Sequence, residues 1–243
     1  MIKQTNKRPY IILNNKSSKS VNGLLITDLP PISKPLMRTL EDIVDGRDGD
    51  IITPLGYSAY DKVVKIALTY GYNVDDIIAF FSGSGRVVFG NEPDKFYNYS
   101  IYEQFDLERL INFKTGEVTF HCQPFKYSDE DNKRTYTFED SPRSISIRNN
   151  GNIYSRPKLT ITGSGNVYIS LNGVSLLSLT LGATTQTIII DSVEMNAISP
   201  SGVLLNRLVS GNYDNIRLKT GSNELDIIGE VERVIIEDFS RWI

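Results

Sequence analysis

The chain is poor in the residues that most often carry chemistry. Its 243 residues include one cysteine, Cys122, and one histidine, His121. A single cysteine cannot close an internal disulfide, which excludes the disulfide framework of small secreted domains. A zinc site needs three or four converging ligands, and these two are sequence neighbours. A serine triad would have to recruit His121 as its base, and no Gly-x-Ser-x-Gly elbow is present. The glycine clusters lack the following Lys-Ser/Thr of a phosphate-binding loop. An excess of one charge is also missing. Lys+Arg number 26 and Asp+Glu 29, a net charge of −3. Divided at Thr135, the two parts carry −1 and −2, so neither has the basic footprint of phosphate recognition. No stretch approaches the roughly 20 apolar residues of a membrane helix. The opening residues, through Asn15, are polar with too short an apolar run for a signal peptide. The expectation is a protein made and kept in a bacterial cytoplasm until something larger carries it out.

What is present is a core-forming, strand-rich sequence. Hydrophobic residues make up 40% and charged residues 23%, enough apolar surface to bury a substantial core. The length suits two all-β units. Residues 9–13 and 21–27 read as strands, followed by a break at Pro30, Pro31 and Pro35, where proline removes ladder N–H groups. Residues 36–44 are mixed. The run Asp45-Gly46-Arg47-Asp48-Gly49-Asp50 reads as a tight polar loop with glycines at positive φ. Residues 60–70 read as a strand. Asn73 is placed as an N-cap, with Asp75 and Asp76 in a first helical turn, where carboxylates suit the positive end of the dipole. Gly83-Ser84-Gly85 stops that helix, and Arg86–Phe89 resumes as a strand.

Phe96 to Glu103 alternates aromatic and polar residues, and Glu117 to Phe125 alternates so that His121 and Cys122 face opposite sides. A short helix is admissible at Leu107–Leu110. Residues 128–135 are charged and free of aromatics, a linker or hairpin tip. They lack the glycine and distant glutamate of a calcium loop. From Ser144 onward, short strands recur at 144–148, 158–162, 166–171, 174–181, 186–190, 203–208, 214–218, 223–228 and 233–237. The glycine-containing turns between them argue for an antiparallel β-sandwich.

Acidic pairs were weighed as a glycosidase dyad, which needs two carboxyls roughly 5–9.5 Å apart across a cleft. Asp75 and Asp76 are explained by the helix dipole. Glu224, Asp226, Glu230, Glu232, Glu237 and Asp238 lie on or beside terminal strands, where charge blocks edge aggregation. No catalytic residue, metal site or cofactor site is assigned. A carbohydrate-binding module is the alternative reading. Tyr154 and Tyr213, near turns of the second half, are its candidate sugar contacts.

The order of motifs carries a resemblance. Residues Asp75 to Phe89 lead into Asn91-Glu92-Pro93-Asp94-Lys95-Phe96-Tyr97, and then Gly116 to Phe125 follows. The second half shows Asn149-Asn150-Gly151, Gly163-Ser164-Gly165 and Leu218-Lys219-Thr220-Gly221-Ser222-Asn223, and Arg241-Trp242 closes it. This succession resembles the distal tail proteins of siphophages, the family called Dit, over nearly the whole chain. The resemblance implies an all-β protein of two β-sandwich domains. Residues 1–135 would form a ring-forming domain with one short helix, and 136–243 a galectin-like one. It implies a virion-tail structural protein and not an enzyme. Six copies would form a ring beneath the tail tube protein and continue the channel. DNA would pass through it without specific binding. The ring would anchor a tail-tip (tail-associated lysin) protein and, in some phages, receptor-binding or baseplate proteins. Candidate ring-interface residues are Arg47, Asp48, Phe96, Tyr97 and Tyr99, because interface centres favour aromatics and arginine.

Overall fold

The computed structural model describes residues 8–103, 107–128, 134–137, 143–237 and 240–243. It divides into two compact units, one through Tyr127 and one from Ser128 to Trp242. The division falls at Tyr127/Ser128 rather than at Thr135. The reason is that Arg134–Thr137 already pairs with a strand of the second unit.

The first unit contains β1 (Ile11–Leu13), β2 (Lys16–Ser17), β3 (Leu24–Asp28), β4 (Met37–Asp42), β5 (Ile51–Tyr57), β6 (Tyr60–Leu68), α1 (Val74–Phe80), β7 (Gly83–Phe89), β8 (Phe96–Ile101), α2 (Leu107–Phe113) and β9 (Thr115–Tyr127). Seven of its strands form one antiparallel sheet in the order β2-β1-β7-β8-β9-β6-β3. Its two edge strands are neighbours in sequence, joined by a 3-10 turn at Ser18–Ser20. Ser17 to Leu24 can span at most about 25 Å, whereas seven strands laid flat would separate their edges by about 29 Å. The sheet is therefore curled. Its inner face holds one apolar cluster that includes Ile11, Val64, Ile66, Phe89, Phe120 and Cys122. The helix α1 begins where Asn73 accepts a hydrogen bond from the Asp75 amide at 2.9 Å, and it buries Ile77 and Phe80 against that cluster. The helix ends at Phe80 with Phe81 as its C-cap, so Gly83-Ser84-Gly85, expected as the helix stop, is already strand.

The second unit contains β10 (Arg134–Thr137), β11 (Arg143–Asn149), β12 (Lys158–Leu171), β13 (Val174–Thr180), β14 (Gln186–Asp191), β15 (Asn196–Ile198), β16 (Val209–Gly211) and β17 (Gly221–Glu237). Two pairs of segments expected as separate strands are single long ones, β12 and β17. Each is shared between two layers. The first half of β12 pairs with β14 and the far half of β17, and the second half pairs with β13 and the near half of β17. The layers are β10-β17-β12-β14-β15 and β11-β17-β12-β13-β16. A single buried cluster, with Ile147, Leu159, Ile169, Leu177, Ile190, Leu225 and Val234, fills the space between them. This is a β-sandwich made by folding one sheet.

The fold line lies at glycine. A Cβ on Gly163 would sit 2.2 Å from the Glu230 carbonyl oxygen. One on Gly229, whose φ is +135°, would sit 2.4 Å from the Asn166 carbonyl oxygen. Neither a side chain nor another residue's backbone preference fits there. Residues 203–208 and 214–218, expected as strands, are largely 3-10 turns at Asn206–Leu208 and Tyr213–Asn215.

Candidate interaction surfaces

The least expected element is the pair β4–β5. It forms its own two-stranded sheet, separate from the main one, with Met37 opposite Tyr57 and Asp42 opposite Ile51. Every residue of β4 except Thr39, and most of β5, is exposed. Beside the exposed Arg38, Glu41 and Asp42, large apolar side chains of the hairpin and its flanks are exposed: Leu36 is 72% exposed, Ile43 82%, Ile52 60% and Leu55 57%. Isolated exposed leucines need no explanation, but a contiguous apolar element without a partner marks an interaction site. Arg47 and Asp48 sit exposed in its tip loop, where Gly46 and Gly49 take φ of +82° and +78°. The turn geometry read from the sequence is thus present, although the hairpin that carries it was not anticipated. The available signal was a cluster of aliphatic residues flanked by prolines and by an Asp/Gly loop.

The base of the hairpin is anchored by a buried polar network. The proline-rich link before it hands two carbonyls to the main sheet. Lys62 Nζ donates to the Pro31 carbonyl at 3.0 Å, and Asn91 Nδ2 donates to the Pro30 carbonyl at 2.9 Å. Lys62 is 3% exposed and lies over the rings of Tyr60 and Tyr97 at 5.1 and 4.9 Å. Burial holds its pKa below the ordinary lysine value. Next to it, Glu92 accepts from Lys126 Nζ at 2.9 Å and from the Tyr97 hydroxyl at 2.7 Å. Burial and that carboxylate push the Tyr97 phenol well above its usual range. Farther along, the Ser58 amide donates to the Leu36 carbonyl at 2.9 Å and closes the hairpin base.

The aromatic stripe is a correction. Phe96, Tyr97 and Tyr99 are 4%, 0% and 4% exposed. Tyr97 packs edge-on to Phe89, Tyr99 edge-on to Phe120, and Phe96 stacks on Tyr127. They fill the unit's own interior and present nothing to a neighbour. The strict alternation expected is broken, since adjacent Phe96 and Tyr97 are both buried and the register shifts between Tyr97 and Tyr99, and period two would not say whether an aromatic face meets a core or a partner. His121 and Cys122 lie on opposite faces, as expected. His121 Nδ1 is 2.8 Å from Asp61 Oδ1. Cys122 is fully buried, and its thiol is pushed up to about 12 by burial, which removes thiolate reactivity. Among the described residues, no three His, Cys, Asp or Glu side chains are grouped to hold a metal ion. No helix among them is long and apolar enough to cross a membrane.

In the second unit, the two tyrosines considered for sugar contact are already engaged. The guanidiniums of Arg217 and Arg241 each lie 4.8 Å from the Tyr154 ring centroid, and Arg241 donates twice to the Tyr154 carbonyl. Tyr213 is half-buried and packs against the core, with its hydroxyl enclosed. Asp214 links Arg217 and Arg156. Those two guanidiniums, Arg217 foremost, hold its carboxyl down at about 2. The motifs Asn149-Asn150-Gly151 and Gly221-Ser222-Asn223 serve turns. Asn149 Nδ2 donates to the Ile153 and Leu218 carbonyls, and Asn223 bonds the Lys219 amide and carbonyl.

Both units are mainly β, and the first bears a hairpin with several exposed aliphatic side chains. The sequence matches no family model and no curated protein. The fold is similar to the crystal structure of the Dit protein (gp 19.1) of phage SPP1, described as a paradigm of the hub adsorption apparatus in phages infecting Gram-positive hosts. The TM-score is 0.69 at 15% identity, over 98% of this chain and 100% of that one. Chains of the phage p2 baseplate in its activated conformation, with Sr and with Ca, align at TM-scores of 0.47 and 0.45 with 10% and 9% identity. Each alignment covers 95% of this chain and 97% of the other.

Proposed function

We propose that this chain is a distal tail protein of a bacteriophage or prophage. Six copies would form a ring that joins the tail tube to the tail tip or baseplate and continues the DNA channel. The observation that carries this reading is the end-to-end fold likeness to the SPP1 hub protein, which spans both units at once. The first unit is the ring-forming one. Its projecting hairpin supplies what a closed heterologous interface requires, a surface on one copy seeking a different surface on the next. Leu40, Ile43, Ile52 and Leu55 are its apolar contacts, with Arg47 and Asp48 at the tip. The second unit corresponds to the galectin-like domain outside the ring. A net charge of −3 suits a channel that passes DNA without holding phosphates. The partners of such a ring are the tail tube protein, the tail-tip protein with its lysin, and receptor-binding or baseplate proteins. Its place is the virion tail.

Negative-stain imaging combined with mass in solution tests the reading. Six chains of 27.3 kDa give about 164 kDa, and the expected particle is a six-fold ring with a central hole. A monomer that stays monomeric in the presence of tail tubes would overturn it.

A further inference from the structure

We propose that the open edge of β3 is a strand-addition site for an extended partner segment that alternates apolar and acidic side chains. This site is separate from the hairpin and does not depend on the ring reading. Among the described residues, β3 is hydrogen-bonded along one side, to β6. Antiparallel pairs alternate between residues that exchange hydrogen bonds and residues that do not. The Thr69 amide donates to the Gly23 carbonyl at 2.8 Å, which makes 23/69 a bonded pair and, by alternation, 25/67 the next. Leu24 and Ile26 are therefore the residues whose peptide groups turn away from β6. Leu24 confirms this, because its amide donates to the Val21 carbonyl instead. That leaves the Leu24 carbonyl and the Ile26 amide and carbonyl directed at the open edge.

A groove of about 750 Å³ is lined by Leu24, Leu25 and Ile26 of β3 together with Arg8, Pro9 and Lys19. Pro9 has no N–H and so offers β3 no donor at that position. The charge of the groove selects its occupant. Arg8 and Lys19 are exposed at the lip, and no acidic side chain lines it among the described residues. Asp28, just beyond, is directed to Lys65 at 3.6 Å. The chain's own first seven residues carry Lys3 and Lys7 and no acid, the wrong sign for this site. The bulge between Ile26 and Asp28 limits pairing to Leu24–Ile26, so the recognised segment is short. Main-chain hydrogen bonds would give affinity, and the two cations and the apolar floor would give the sequence preference, the usual division in strand addition.

The test uses the full chain and two blocked heptapeptides, one alternating valine with glutamate and one alternating valine with lysine. Hydrogen exchange at the Ile26 amide is the readout, because contacts through side chains alone would not move it. The expected result is that the glutamate peptide slows Ile26 exchange about tenfold while the lysine peptide leaves it unchanged. The double charge reversal Arg8→Glu with Lys19→Glu should exchange the two preferences. Both sites are exposed, and the circular dichroism spectrum checks that the variant is folded. Equal protection by both peptides, or none by either, would overturn the proposal. So would an Ile26 amide already protected in the free chain, or protection that grows with protein concentration alone, which would make the occupant a second copy.

Discussion

The two units solve the same problem, closing an antiparallel sheet around a core, in opposite ways. The second folds one sheet across glycines. Its interior is almost wholly aliphatic, and its polar ties sit at turns and at the Arg156–Asp214–Arg217 cluster. The first curls its sheet and keeps charge inside it, with Lys62 and Lys126 at 3% and 7% exposure around Glu92. It also leaves an apolar hairpin outside. A fold that stood alone would do the reverse, with aliphatic residues inside and charge outside. The arrangement in the first unit teaches that this unit holds a projecting element in place. Lys62 and Asn91 bond the link from which the hairpin springs.

Breaking the buried network should have the largest effect. Glu92→Ala leaves the enclosed Lys126 without its carboxylate and takes the acceptor from Tyr97. A loss of about 4 kcal/mol is expected, read by urea unfolding. Gly229→Ala attacks the contrasting device in the second unit. It forces a Cβ to 2.4 Å from the Asn166 carbonyl at a φ of +135°. It should cost about 3 kcal/mol, followed by the fluorescence of Trp242, the sole tryptophan. The hairpin should separate stability from assembly. Leu40→Asp with Ile52→Asp alters exposed side chains, so unfolding should shift by no more than about 0.5 kcal/mol, while the proposed ring should give way to monomer when the mass in solution is measured.

A smaller effect distinguishes the polar ties of the second unit. The Asp214 carboxyl, depressed to about 2 by Arg217 and Arg156, contributes fully above the ordinary carboxylate pKa. Its contribution is lost as pH falls from about 4 through 2. Asp214→Asn should flatten that part of a stability-against-pH profile and lower stability at neutral pH by the same amount, a small one because the site is exposed. A profile of the variant identical to that of the native chain below pH 4 would show that the cluster does not couple to folding.

Local chemistry was read well wherever one residue governs it. Asn73 is the cap, Gly46 and Gly49 take positive φ, and Cys122 faces inward opposite His121. The misreadings share one physical origin. Gly163-Ser164-Gly165 looked like a turn between two strands and is a bend within one, because a glycine run permits either and only the partner strand β17 decides. The stripe at Phe96, Tyr97 and Tyr99 was offered as an interface and is core, because alternation marks a face without naming what covers it. Leu36 to Val44 looked mixed because a strand whose two sides are both exposed has no apolar period to display.

The sequence by itself determined that this protein is all-β, starts a helix after Asn73, and lacks a phosphate-loop motif and a disulfide framework. These follow from periods, caps and residue counts, which act over a few positions. The tertiary structure decided that β12 and β17 each serve two layers, that Lys62 is buried against Pro31, that the hairpin stands free and that the edge of β3 is open. Those depend on contacts between residues far apart in the chain, where burial and hydrogen-bond partners are set by what the fold brings together.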